Sequence, residues 1–439
     1  MIAAPIMRAD GSIISATGYD AATGLFLTGN GWTAIPDTPT GEDVHRALTM
    51  LKAPFFEFPF IANEDRSVLL AAILTGLQRR LLPSAPLFGF TAPVMRSGKS
   101  LLAEAVAIIA TGQPAPAMAV SGDREEIRKG VASILREGHA LVNLDNIEHP
   151  LGSPDLARAI TQPEYADRLL GESRLLRLPT NSMWMATGNN LAFRGDLTVR
   201  ALLCRVDAQA ERPEERTFAI PNLKAHIARN RRKLVSAAIT ILRAYHVAGR
   251  PDKNLPAWGG FDEWSALVRS ALVWAGEADP CRTRQHVIED DPDRERTGAL
   301  LANWHRVFGH RSVPVAEVAA KTASDAALLD AVLAVAPSKN DPRQPDTFRL
   351  SGWCRREKDK IVAGLVVRKA QGDCRAGAWR VSDASSATFA TLSSQQKTKP
   401  ADVEGGTDLH RGENLANVAD VAPEPDPATA QTGLFGGAL

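Results

Sequence analysis

Between Leu87 and about Ala248, short apolar runs of strand length alternate with longer stretches of helical periodicity. No other feature of the chain constrains its fold as much. Strands separated by helices do not pair as hairpins; they line up in parallel and bury both faces beneath the connecting helices. This part of the chain is therefore read as α/β, a parallel sheet flanked by helices. The runs Leu87-Phe-Gly-Phe-Thr91, Ala140-Leu-Val-Asn-Leu-Asp145 and Met183-Trp-Met-Ala-Thr-Gly-Asn189 each end in a polar residue. In an open parallel sheet the carboxyl ends of the strands are where ligands bind.

The flanks divide the chain further. With 44% hydrophobic and 23% charged residues in 439, there is apolar material for two or three cores. Residues 1–44, rich in Gly, Thr and Asp, read as a small β connector with a run at Gly24–Leu27 and a turn at Gly29–Gly31. Residues 45–84 read as a lead-in of two helices, 85–250 as the α/β core, and 251–296 as a helical extension centred on Phe261–Trp274. Glu289-Asp-Asp-Pro-Asp-Arg-Glu295 marks a charged break. Residues 297–382 give three helical runs, a basic helix over Arg349–Lys360, and β runs at Leu365–Lys369 and Ala378–Val381, an order that suits a winged helix. From 383 to 439 the composition has too few large apolar residues to offset the entropy of ordering, so this segment reads as a disordered tail.

The formal net charge of +1 conceals an uneven distribution. Residues 343–380 carry ten Lys or Arg against four acids, whereas the stretch from Ala384 onward carries three against seven. The first region suits an anionic partner. Cys204, Cys281, Cys354 and Cys374 include no C-x-x-C pair, which excludes a zinc knuckle and leaves reduced thiols. MIAAPIMRADG has no basic segment followed by an apolar run, and no apolar stretch approaches the roughly 18 residues of a membrane span. The expectation is a cytoplasmic protein.

The chemistry concentrates in Thr91-Ala-Pro-Val-Met-Arg-Ser-Gly-Lys-Ser100. A phosphate cradle needs a strand, a loop of inward-facing N–H groups, a lysine, and a hydroxyl for Mg²⁺ at a helix start. Pro93, Val94, Met95, Arg96, Ser97 and Gly98 supply the loop, Lys99 and Ser100 the ligands, and Leu101 continues the helix. Pro93 replaces the usual first glycine and has no N–H to donate. Asp145 closes an apolar run, as a carboxylate of a Mg²⁺ shell must. Asn189 closes the next, where its amide can meet a γ-phosphate or orient water. Read singly, these residues describe a turn, a buried strand and another turn. Three strand ends in this order, each with the required residue type, describe a nucleotide site.

The set A-P-x-x-x-S-G-K-S, Glu125-Glu-Ile-Arg-Lys129, L-V-N-L-D-N, A-T-G-N-N and Gly195-Asp-Leu-Thr-Val-Arg200 resembles superfamily III and related AAA+ helicases. The resemblance is to the helicase part of phage and mobile-element primase-helicases and replication initiators, over roughly residues 5–382. It implies a P-loop AAA+ ATPase core with an N-terminal β/helical connector and a C-terminal winged helix. ATP and Mg²⁺ are the implied cofactors. Lys99 and Ser100 would hold phosphate and Mg²⁺, Asp145 the metal shell, and Asn189 the sensor role. Arg200 would be an arginine finger reaching a neighbouring subunit's γ-phosphate, with Arg205 the runner-up, in a homo-oligomer that the resemblance implies is a hexamer. Asn146 stands where many relatives have a water-activating Glu, which leaves the base open; Glu148 is a substitute candidate. Val199 stands where relatives often carry another Arg.

Further cations read as DNA contacts. Arg168, Arg174 and Arg177 lie between the Asp145 run and the Asn189 run, where the resemblance places a pore hairpin; a solvated edge hairpin has the same pattern. Arg229-Asn-Arg-Arg-Lys233 reads as a solvated helix face. Arg355, Arg356, Lys358 and Lys360 on the basic helix, with Arg368 and Lys369 on the wing, suit phosphates. Gln431, Leu434 and Phe435 resemble the Q-x-x-L-F peptide that docks into the bacterial sliding clamp. No zinc-binding cysteine set or acidic metal cluster precedes the core, so any priming would fall to a separate primase. The expected function is an ATP-dependent helicase that acts on single-stranded and forked DNA in replication of a phage or mobile element. The alternatives are an initiator or defence ATPase that assembles on DNA without unwinding it, and a helicase loader.

Overall fold

The computed structural model describes residues 1–120, 123–168, 175–370 and 377–384. At its centre are five parallel strands: β1 (Leu87–Ala92), β2 (Ala117–Ala119), β3 (Leu141–Ile147), β4 (Met183–Asn189) and β5 (Ala201–Arg205). Their order across the sheet is β5-β1-β4-β3-β2. All of β1 and the first four residues of β3 are buried, as expected of strands covered on both faces.

Register fixes what the carboxyl edge holds. Asn189 pairs with Ala92, Arg205 with Thr91, and Ala119 with Asp145, so the strands finish together. The register between β4 and β3 shifts between Ala186 and Gly188. A Cβ on Gly188 would lie 2.5 Å from the Ile147 carbonyl oxygen. Only glycine permits that approach, which accounts for the Gly of the A-T-G-N-N run.

Helices cover the sheet. Asn63–Gln78 and Lys99–Thr111 are buried along most of their length, and Leu223–Val247 packs on them. In Asn63–Gln78 and Lys99–Thr111 the apolar residues face all round rather than along one stripe, the pattern of an enclosed helix. A capping box between Thr40 and Asp43 starts the helix Gly41–Lys52. The buried Asp65 of Asn63–Gln78 is satisfied from far along the chain: Arg205 donates through Nε and Nη2 at 3.0 and 3.1 Å and through its backbone N–H at 2.9 Å. Removing one partner of such a pair strands the other without its counter-charge. Asp65→Ala is expected to lower stability by about 3 kcal/mol, measured by urea unfolding.

The first forty residues hold two short antiparallel pairs, Ile6–Met7 with Ile13–Ile14 and Gly18–Asp20 with Leu25–Leu27. Their small core is Ile2, Ile6, Ile14 and Leu27. The second hairpin closes at Asp20–Gly24, where Gly24 has φ +70° and its N–H donates to the Asp20 carbonyl. Gly29–Gly31 follow the last strand and pair with none.

Past the sheet, Asp262–Trp274 is helical with a π-helical stretch at Ser265–Arg269. A separate hydrophobic core, from Leu300 to Val381, organises helices Pro292–Phe308, Val315–Lys321, Ala326–Leu333 and Thr347–Glu357. Four antiparallel strands complete it: β6 (Val313–Pro314), β7 (Ile361–Val362), β8 (Leu365–Lys369) and β9 (Ala378–Asp383), in the order β6-β9-β8-β7. The basic helix is shorter than the expected Arg349–Lys360. Asp346 caps it at the start, and Asp359 at φ +63° lies in the turn beyond its end at Glu357. Lys358 and Lys360 therefore lie on the turn into β7. Among the described residues no helix is long and apolar enough to cross a membrane.

Candidate nucleotide site

The loop after β1 enters helix Lys99–Thr111 through Gly98, whose φ of +91° is left-handed. A side chain there would also meet the Phe58 ring at 2.8 Å. Both facts restrict the position to glycine. Within the loop, Arg96 takes φ +58° and Ser97 Oγ donates to the Val94 carbonyl at 2.8 Å. Pro93, Val94 and Met95 complete the approach, and Leu101 follows in the helix.

Lys99 is 8% exposed, and burial lowers its pKa from the usual lysine value. Its Nζ donates to Asn189 Oδ1 at 2.6 Å and to the Val94 carbonyl at 3.1 Å. A desolvated cation turned onto neutral oxygens is poised to take an anion in their place. Ser100 Oγ donates to Asp145 Oδ1 at 3.3 Å, and Asn143 Nδ2 and Thr187 Oγ1 donate to the same oxygen. A hydroxyl beside a carboxylate is the hard-oxygen set that Mg²⁺ takes, so these side chains fit that ion. Asn146 takes φ +52°, and its Nδ2 donates to Glu148 Oε1 at 3.1 Å. Asp145, Asn146, Glu148, His149 and Arg194 line an adjoining cavity of about 460 Å³.

On the other side of the loop lies a second cavity, about 240 Å³, between the segment around Phe58 and the segment around Phe218. Sequence reading missed both walls. The first is strapped to the end of β5: Ile61 N–H donates to the Arg205 carbonyl, and Asp207 N–H to that of Pro59. The second is held to the first, because Glu57 Oε2 accepts from Ala219 N–H at 2.9 Å and the Glu57 carbonyl from Arg216 Nη2 at 3.2 Å. Arg216 lies over the Phe218 ring at 5.2 Å. Aromatic and proline surfaces beside a phosphate cradle suit a flat heterocycle. The available signal was the density of rings in Ala53-Pro-Phe-Phe-Glu-Phe-Pro-Phe60.

The two arginines with an expected finger role lie at opposite ends of β5. Arg205 stands at the carboxyl end and is bound to Asp65, so this runner-up is engaged within its own chain. Arg200 precedes the strand, and its carbonyl accepts from Leu87 N–H at the start of β1. A six-residue strand, about 20 Å at ~3.3 Å per residue, thus separates Arg200 from the loop before Lys99 of the same chain. Its Nη1 donates to the Asp196 carbonyl at 3.2 Å, while its buried Nε has no partner among the described residues.

The other expected cations are dispersed. Strands Glu164–Arg168 and Leu175–Pro179 form a hairpin in which Arg177 pairs with Glu164 at 2.8 Å; Arg168 ends the first strand. Arg355 and Arg356 are exposed on the basic helix, and Arg356 contacts Glu357. Lys360 pairs with Glu357, Lys358 with Asp359, and Arg368 with Asp359 across to β8, where Lys369 is exposed. Arg174, Gln431, Leu434 and Phe435 lie outside the described residues.

No protein-family model matches the chain, and no curated protein does. Among solved structures, the chain is similar to a JCV helicase bound to a thiazolopyridine acetamide. The two share 13% identity over 60% of this chain and 72% of that one, with a TM-score of 0.24. It is also similar to the apo form of the C-terminal region of NrS-1, at 8% identity over 84% of each chain, with a TM-score of 0.37. Likeness at this level carries no weight for function. The site has to speak for itself.

Proposed function

We propose that this protein binds ATP with Mg²⁺ at the carboxyl edge of its parallel sheet and hydrolyses it to move along single-stranded DNA. The observation that carries the proposal is convergence: Lys99 contacts Asn189, and Ser100 contacts Asp145, at one sheet edge. In this reading the loop from Pro93 to Ser100 cradles the phosphates, and Lys99 transfers its hydrogen bonds from Asn189 and Val94 to phosphate oxygens. Ser100 and Asp145 hold Mg²⁺, which neutralises charge on the phosphates when bound. Asn189 orients the terminal phosphate or water, and Asn146 holds Glu148 as a candidate base. The base stacks in the cavity between Phe58 and Phe218. Phe58→Ala is expected to weaken binding of a fluorescent ATP analogue about tenfold, with equal effect on the ADP analogue, since both share the base.

Arg200 completes the site of a neighbouring copy in this reading, which makes the assembly a ring, with a hexamer the expected size. Arg168, Arg174 and Arg177 track the strand within it. The helices and sheet around the second core act as a winged helix, with Arg355, Arg356, Lys358, Lys360, Arg368 and Lys369 on phosphates. Replication of a phage or mobile element is the proposed setting, with a separate primase, and Gln431, Leu434 and Phe435 docking on a sliding clamp.

The test is strand displacement on a forked duplex with ATP, for the wild type and Lys99→Ala. Displacement by the wild type alone supports the reading. Asn146, in place of an acid, favours a second reading: an ATPase that assembles on DNA without unwinding. ATP turnover without displacement would select it.

A further inference from the structure

We propose that His305, His310 and Asp383 form a binding site for a divalent transition-metal ion of the zinc class. One ligand atom from each residue lies within 4.8 Å of the other two. His310 Nε2 stands 4.0 Å from Asp383 Oδ2, and the two imidazole rings have centroids 4.9 Å apart. Tetrahedral zinc at about 2.1 Å from its ligands holds them about 3.4 Å apart, so small side-chain rotations close the site. His305 Nε2 is buried and has no hydrogen-bond partner among the described residues. A ring nitrogen that has lost water and gained nothing carries a desolvation cost, and coordination would remove it.

The backbone holds these donors in place. His305 sits in the last turn of Pro292–Phe308, on the opposite side of Gly309 from His310; Gly309 takes φ +57° and reverses the chain. Asp383 is the last residue of β9 and is paired with Leu365 of β8. Buried Trp304, stacked edge-on with Phe308, anchors the helix end beside them. Donors on anchored elements lose little freedom on binding. The neighbouring cation Arg311 is paired with Glu317 and lies over the Phe308 ring. Two imidazoles and one carboxylate suit zinc, cobalt, nickel or iron, whereas Mg²⁺ and Ca²⁺ favour oxygen alone. Three protein ligands leave a position for water, and the ion would tie the helix end to the final strand of the second core. This site lies outside the nucleotide site and does not depend on the function proposed above.

The experiment uses the untagged full chain, freed of metal, titrated with Zn²⁺ against a chromophoric chelator and then with Co²⁺ while its visible spectrum is recorded. The wild type is expected to take up an ion that is bound at least about tenfold more weakly by His305→Ala and by His310→Ala. His310 is 61% exposed, so its replacement leaves the core intact. Zn²⁺ should raise the thermal midpoint of the wild type and not of His310→Ala, the metal-free midpoints being equal. Absence of uptake by the wild type overturns the proposal, as does equal uptake by His310→Ala. A cobalt spectrum dominated by thiolate absorption overturns it too, because the ion would then sit on cysteine.

Discussion

Lys99→Ala is expected to reduce ATP turnover by more than about a hundredfold while the protein stays folded. The lysine is almost fully covered, and burial already disfavours its charged form. Its replacement removes a desolvated cation, so the core is not weakened. What is lost is a side chain that joins the loop to the end of β4, through Val94 and Asn189. With nucleotide bound as proposed, those bonds would pass to phosphate oxygens, where a cation in a poorly solvated position gains most as charge develops. The measurement is steady-state phosphate release with and without single-stranded DNA, with circular dichroism as the check on folding. Turnover unchanged by the substitution would remove the proposed site altogether.

Arg200→Ala should cost about a thousandfold in turnover, the scale of an arginine that stabilises transferring phosphate from a neighbouring subunit. Position in the sheet is the reason. Arg200 precedes β5 at the edge where β1 begins, and the phosphate loop lies at the edge where β1 ends. A side chain does not span that gap within one chain, so any action on ATP has to be in trans. Mixing provides the sharper test. An assembly of Arg200→Ala and Lys99→Ala subunits contains some sites with an intact lysine from one copy and an intact arginine from the next. Such mixtures are expected to regain turnover that neither variant has alone. Arg200→Lys should fall between wild type and alanine, since it keeps the charge but loses the planar fork. If mixing restores nothing while Arg200→Ala remains folded and inactive, the trans arrangement is wrong.

Legibility in the sequence followed the range of the interactions. Gly98-Lys99-Ser100 after an apolar strand run announces a loop that enters a helix, because glycine tolerance and helix initiation are local properties. Asn189 was readable as a strand end for the same reason, closing an apolar run, whereas the strand that carries Asp145 continues to Ile147. The basic helix was legible but over-extended: the cations at 358 and 360 continue the composition, while the backbone turns at Asp359. Arg205, the runner-up for the finger, has a partner that no local reading reveals. A cation after an apolar strand looks available, but its carboxylate partner, Asp65, comes 140 residues earlier in the chain.

The walls of the second cavity were not legible for the same physical reason. Phe58 and Phe218 come from segments far apart in sequence, and their placement on one cavity depends on a strap to β5 and on hydrogen bonds that Glu57 accepts from Arg216 and Ala219. The metal-site donors behave alike, since His305 and His310 are near neighbours but Asp383 reaches them only through the β9 ladder. By itself, the sequence determined which segments become strands and helices and which chemical groups stand at their ends, because periodicity and backbone preference act over a few residues. Only the tertiary structure decided that Asn189 meets Lys99, that Asp65 captures Arg205, and that Arg200 lies at the opposite strand end from the loop before Lys99. Those outcomes depend on strand order and register, and these are set by burial of the whole core rather than by any local stretch.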